Sequence, residues 1–345
     1  MSSQVLEKPN IAKEEIQTPT SSDVLLSDFQ IEDRHYLDNG TTIDDFSFEV
    51  TNRSEKLNYS GQFFNPKDYN PEQPPVVYTT PWLTELRGFN TLVGKELAKN
   101  GLKAISLSPE HPKIGDALNH FLNIALNKEK ILERDATSYS ALLEYLNDQK
   151  IDDTSTIILF GYSRGSMVGI VLNSLAQINR RKIIYNEFID LCLKDSVRSM
   201  HLSLGELAIN LSQEAINGLI EVRKLPIEDK RHLLNTISTD PGSIIEHIST
   251  GIGLFRGETG SFLNNIPDNM TGTVTFFKSS MFNQKDRWEA GLNRFPYLHI
   301  IYQNGYHLSG INPQIIQDGI ARIALFQKQF SNGIDPIKAI NNLYK

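Results

Sequence analysis

The stretch Thr154–Ile170, TSTIILFGYSRGSMVGI, constrains the fold of this chain more than any other. A β-branched apolar burst (Ile157, Ile158, Leu159, Phe160) runs into Gly161-Tyr162-Ser163-Arg164-Gly165. Small and apolar residues of helical character follow (Met167, Val168, Gly169, Ile170). The pattern reads as strand, sharp turn with a serine at its apex, then helix. Glycines two residues either side of Ser163 suit a serine in a strained backbone, because strand and helix can approach closely only where no Cβ intervenes. The arrangement should push the Ser163 hydroxyl out at the end of a sheet. It should also set the Arg164 amide at a helix N-terminus, facing any negative charge that develops there. A G-x-S-x-G string arises by chance in roughly one chain in ten of this length. Taken alone, the stretch therefore fits a tight turn with a capping serine as well as it fits an exposed nucleophile, and the rest of the chain has to decide.

The 345 residues, 39% hydrophobic and 22% charged, suit a soluble globular protein with one large domain or a domain with an insertion. A net charge of −7 and a pI near 5.7 argue against a nucleic-acid or anionic-membrane partner. The short basic cluster Arg180-Arg181-Lys182 reads as a solvated helix end. One cysteine, Cys192, excludes an intramolecular disulfide and a cysteine-based metal site. Its apolar neighbours (Phe188, Ile189, Leu191, Leu193) mark it as a small buried hydrophobe. The N-terminal segment MSSQVLEKPNIAKEEIQTPTSSD has no apolar core of signal-peptide length, and no stretch approaches the ~18 consecutive apolar residues of a membrane span. A cytoplasmic protein is the expectation.

Along the chain, residues 1 to about 27 are polar, aromatic-poor and read as a mobile arm. Strand-like runs follow at Asp28–Leu37, Asp45–Thr51 and Lys56–Phe64, with Asn39-Gly40 and Asn65-Pro66-Lys67-Asp68 as turns, predicting an antiparallel opening to a sheet. After Pro74-Pro75 the mode changes. Val76–Thr80 is a short buried strand, and a helix through Leu92, Val93, Leu97 and Ala98 closes at Asn100-Gly101. Ala104–Leu107 is the next strand, and a long helix carries Ile131, Ala136, Tyr139, Leu142, Leu143 and Leu146. Alternating strands and helices argue for a mostly parallel sheet covered on both faces. A strand at Lys182–Leu193 precedes a wholly helical stretch of about 196–270, with first-turn prolines after Leu225-Pro226 and Asp240-Pro241. Strands return at Thr273–Phe277 and Tyr297–Tyr302, and a helix closes the chain around Ile315–Phe330.

A serine hydroxyl needs a base to take its proton, and the base needs an orienting group. Of eight histidines, His307 lies in the loop Gln303-Asn304-Gly305-Tyr306-His307-Leu308-Ser309-Gly310, past the last strand and before the last helix. Such a loop can carry an imidazole over the sheet edge. Asp286 is the first carboxylate after the strand at 273–278, with Asp190 and Asp195 near the end of the preceding strand as competitors. Glu110 and His111, in the loop after Ser108-Pro109, can line a pocket or simply be solvated. No metal-ligand spacing is present. Gly251-Ile252-Gly253 and Gly257 lack the strand-to-helix context of a phosphate loop, so no cofactor is expected.

The GYSRG turn on a central strand, with Ser163, Asp286 and His307 in that order, resembles the α/β-hydrolase superfamily over about residues 70–330. The resemblance implies an α/β fold with a mostly parallel central sheet, helices on both faces, a core at 28–195 and 271–345, and the helical stretch 196–270 as an inserted cap. It implies an esterase-like serine hydrolase acting on a small-molecule ester, thioester or amide, with Ser163 as nucleophile, His307 as base and Asp286 as the orienting acid. Oxyanion donors would be the amides of Arg164 and Trp82. The family's early loop often carries His-Gly, whereas this chain has Thr80-Pro81-Trp82, and Pro81 has no N–H to donate. An acyltransferase with the same three residues, or a non-catalytic binding protein on the same fold, are the alternatives.

Overall fold

The computed structural model describes residues 24–52, 55–80, 87–109, 118–119, 121–122, 126, 131–176, 180–191, 227, 265–278, 292–305 and 312–345. They contain a nine-stranded sheet in the order β1-β2-β3-β5-β4-β6-β7-β8-β9. The opening three strands, β1 (Val24–Tyr36), β2 (Thr42–Asn52) and β3 (Glu55–Asn65), pair antiparallel, as their alternating sequences predict. The β1–β2 turn falls at Asn39-Gly40. There the Leu37 N–H donates to Thr41 O, the Asn39 side chain accepts from the Thr41 N–H, and Gly40 takes φ 80°. β1 begins at Val24, so the pairing reaches a few residues into the stretch read as a mobile arm.

From β4 (Val76–Thr79) onward the sheet is parallel. α1 (Arg87–Lys99) leads to β5 (Ala104–Pro109), which pairs parallel with β4 and antiparallel with β3, joining the two halves. α2 (Ile131–Asp148) precedes β6 (Thr156–Tyr162), and α3 (Arg164–Ala176) precedes β7 (Lys182–Ile189). β8 (Thr271–Phe277), β9 (Tyr297–Gln303), α4 (Pro313–Ser331) and α5 (Pro336–Leu343) complete the order. β4 and β8 are buried at every residue, as expected of parallel strands covered on both faces. Alternate residues supply two cores. Leu159, Phe188 and Val274 pack with Tyr139 and Leu142 of α2 and Val168 and Leu172 of α3. Ile158, Phe160 and Tyr185 pack with Val93 of α1 and with Ile320 and Phe326 of α4 on the other face.

Two differences from the sequence reading have local causes. The strand expected over Lys182–Leu193 stops at Ile189, because Asp190 adopts φ 49°, a left-handed conformation that ends pairing. α5 lies beyond the last helix that the sequence predicts, and it has the same start signal as α4. Asp335 caps it by accepting from the Ile337 N–H, with Pro336 in the first turn, as Asn312 and Pro313 do for α4. Of the helical stretch 196–270, all but residue 227 and residues 265–270 lies outside the described residues, as does Cys192.

One buried ion pair fastens α4 to the sheet. Glu187 of β7 is fully buried and meets Arg322 of α4, with Nη2 2.6 Å from Oε1 and Nε 3.1 Å from Oε2. The Tyr185 hydroxyl donates to Glu187 Oε2 at 2.8 Å, and Thr273 links Tyr185 to the Tyr344 hydroxyl. Burial pushes the Glu187 carboxyl above its ordinary value, and Arg322 pulls it back. A carboxyl so raised contributes most to stability below its ordinary range and loses that contribution as pH rises through the folded-state value. Arg322→Ala strands the carboxylate and should cost about 3–5 kcal/mol at pH 7. The loss should shrink at pH 5, where Glu187 can take a proton, and urea unfolding at the two pH values measures the difference.

Candidate active site

Ser163 stands directly beyond the carboxyl end of β6, at φ 53°. Its carbonyl accepts from the Met167 N–H at 3.3 Å, so it occupies the cap of α3, and its own N–H donates to Ile189 O of β7 at 2.9 Å. A non-glycine residue held left-handed costs on the order of 1–3 kcal/mol and persists only where its surroundings over-determine it. The flanking glycines show how. A Cβ on Gly161 would lie 2.7 Å from the Gly165 carbonyl carbon and the Ser166 nitrogen, which gives the expected close approach of strand and helix. A Cβ on Gly165 would lie 2.0 Å from Thr79 O and 2.8 Å from Thr80 O, so this glycine serves the contact with β4 next door rather than with its own strand.

Two hydroxyls that motif reasoning passed over fix the turn. Thr79 Oγ1 donates to Gly165 O at 2.8 Å and sits 3.2 Å from Phe160 O. Ser166 Oγ lies 2.8 Å from Gly161 O and 3.0 Å from Ile189 O. Gly169 brings α3 onto Phe188, where a Cβ would meet the ring at 2.5 Å. Arg164 is the first residue of α3, so its amide lies at the positive end of that helix. The Arg164 side chain turns inward, is 2% exposed, and pairs through Nη2 with Asp135 of α2. Ser163 itself is only 5% exposed. The serine does sit at the sheet end, as the sequence predicts, but in an enclosed setting where dipoles and charges act more strongly than in water.

Tyr162, Ile189, Thr275 and Ile301 lie on one line of register across β6, β7, β8 and β9. One residue further on, Phe276 of β8 pairs with Tyr302 of β9, while Ser163 and Asp190 are the first residues beyond the paired ends of β6 and β7. Asp190 follows β7 as Ser163 follows β6, and the Ser163 N–H reaches the carbonyl of Ile189, the residue before Asp190. It is fully buried, shares the left-handed conformation, and its N–H donates to Thr275 O of β8 at 2.7 Å. On the other side, Thr80 donates its N–H to Leu107 O at the end of β4, beside Gly165. Asp286, Asp195, His307, Trp82, Glu110 and His111 lie outside the described residues. His35 and His299 are described and lie away from Ser163 in the fold. His35 is on edge strand β1, 3.4 Å from Asp45, and His299 is in β9, stacked on Tyr344. Among the described residues, no group of three or more His, Cys, Asp or Glu side chains is arranged to hold a metal ion, and no helix is long and apolar enough to cross a membrane.

No protein-family model matches the sequence, and no curated protein matches it either. Solved structures do match. An N-formylmaleamic acid deformylase from Pseudomonas putida S16 superposes at TM-score 0.51 with 10% identity, covering 80% of this chain and 99% of that one. An epoxide hydrolase from Vigna radiata gives 0.50 with 12% identity, over 92% of this chain and 100% of its own. A cold-adapted esterase from an Arctic intertidal metagenomic library gives 0.50 with 9% identity, over 86% and 98%. The chain has the α/β-hydrolase fold.

The contact between Gly165 and β4 is the tightest in the site. Gly165→Ala should destabilise the protein by at least about 2 kcal/mol, since the obstructing atoms are backbone and cannot swing aside. Thermal unfolding beside Gly101→Ala, whose Cβ meets nothing within 4 Å and tests left-handed strain alone (φ 76°), separates crowding from strain.

Proposed function

We propose that this chain is an esterase-like serine hydrolase acting on a small-molecule ester, thioester or amide. The observation that carries the reading is Ser163, left-handed at the carboxyl end of a central parallel strand and capping the helix that follows. That geometry has a cost that a plain turn would avoid. In the mechanism, Ser163 Oγ bonds to the acyl carbon while His307 takes its proton. The imidazolium then protonates the leaving group as the bond to it breaks. Water, activated by the same imidazole, releases the acyl group and restores Ser163. The amides of Arg164 and Trp82 hold the oxyanion, and residues 196–270 form a cap over the site.

Chain reach supports the base. His307 lies six residues beyond Ile301, which shares a register line with Tyr162, a span of at most about 20 Å, against about 14 Å between β6 and β9. The start of the second oxyanion loop is supported by Thr80, whose carbonyl lies against Gly165. Two of the structural neighbours are an esterase and a deformylase, which agrees with acyl chemistry.

Asp286 is the orienting acid in this reading. A specific observation also favours Asp190: it is buried, left-handed, and the first residue past the end of the strand that neighbours the one leading to Ser163. Asn at the true acid position should lower kcat by about 10⁴-fold, since the imidazole would take the wrong tautomer, and Asn at the other should change it far less. A fluorophosphonate probe should label Ser163, and Ser163→Ala should abolish labelling and turnover of a graded series of p-nitrophenyl esters. Full esterase activity in Ser163→Ala would overturn the proposal.

A further inference from the structure

Residue 164 connects two parts of the molecule. Its backbone N–H opens α3 one residue after Ser163, and its guanidinium reaches under the helix to Asp135. Asp135 is fully buried on α2, at a position of the helix face otherwise filled by Ile131, Tyr139 and Leu142. Its Oδ1 accepts from the Tyr59 hydroxyl of β3 at 3.1 Å and from Arg134 Nε at 3.2 Å. Burial, and after it the Asp135 charge, holds the Tyr59 hydroxyl well above the ordinary phenol range, so it remains a donor. One carboxylate is therefore gripped from β3 and α2 and in turn grips the residue that opens α3.

For stability alone this is a poor arrangement. A buried ion pair gains little over a well-packed apolar contact, and α3 meets α2 elsewhere through apolar side chains such as Val168 and Leu172. What the pair does provide is a fixed orientation. A charged fork tied at its far end restricts the backbone of residue 164, and with it the direction of the 163–164 peptide N–H. We infer that Asp135 is a positioning residue for the oxyanion donor, acting through the Arg164 guanidinium. The inference rests on the hydrolase reading above. A donor displaced by about 1 Å can cost about 10²-fold in rate, comparable to removing it.

The test uses the full chain with p-nitrophenyl butyrate as substrate and phenylboronic acid as a tetrahedral-adduct former. Asp135→Asn should lower kcat about 10- to 100-fold with KM changed less than about 3-fold, and should weaken phenylboronic acid by the same factor as kcat/KM. Arg164→Gln should behave alike, and the double variant should be no worse than either single one, because one linkage is cut in each. A folded Asp135→Asn protein with wild-type kcat and boronate affinity overturns the inference. So does one whose melting temperature alone falls, which would mark the pair as structural. If Asp135→Asn does not fold, Tyr59→Phe decides. A several-fold fall in both kcat and boronate affinity supports the inference, and no change in either overturns it. Failure of the hydrolase reading shows separately, as a wild-type protein that neither turns over the ester nor is labelled at Ser163.

Discussion

The contact of Gly165 with the end of β4 governs how this site is built. A helix can begin directly against a neighbouring strand only if nothing projects from its second residue, and Thr79 O occupies the place a Cβ would take. With β4 and β6 paired in parallel and α3 pressed against both, Ser163 has no room for an ordinary helical approach and turns left-handed. Hydrogen bonds from Thr79 and Ser166 hold the turn closed from both flanks, one toward β4 and one toward β7. The register line across β6 to β9 then sets which residues share the sheet edge with the serine.

Charged groups inside the molecule have a consistent use. Asp135 with Arg164 ties α2 to α3 under one face, Glu187 with Arg322 ties α4 to β7 on the other, and Lys103 with Asp152, 2.8 Å apart, ties the entry of β5 to the loop before β6. Each pair joins elements far apart in sequence. A direction-dependent bond specifies how elements are oriented where apolar contact specifies only that they touch. Burial raises Asp152 as it does Glu187, and the partner cation lowers it again, so these ties are conditional on charge.

Much of the fold was legible in the sequence because its signals are local. The alternation in β1 to β3, the apolar bursts of β4, β6 and β8, and the buried face of α2 are periodicities that a single segment carries. Gly161, Ser163 and Gly165 were legible for the same reason: the turn they form is made within five residues. The missed features are those in which a residue answers to a distant one. Thr79 reads as an ordinary strand residue until the carbonyl of Gly165 lies beside it. Asp135 could have been flagged, being a charge on an apolar helix face, but its partner at residue 164 is visible only once α2 and α3 are packed. Asp335-Pro336 carries a local helix start signal like that of Asn312-Pro313, followed by a helix of only eight residues.

The sequence by itself determined the order of strands and helices, the mostly parallel sheet and the serine turn, because hydrophobic period, cap residues and glycine spacing act over a few residues. Only the tertiary structure decided which strand ends adjoin Ser163, that Asp190 follows the strand paired with β6, and that Arg164 is anchored from α2. The physical reason is that strand order in a parallel sheet is fixed by crossovers and by burial on both faces, which are properties of the whole chain folded at once.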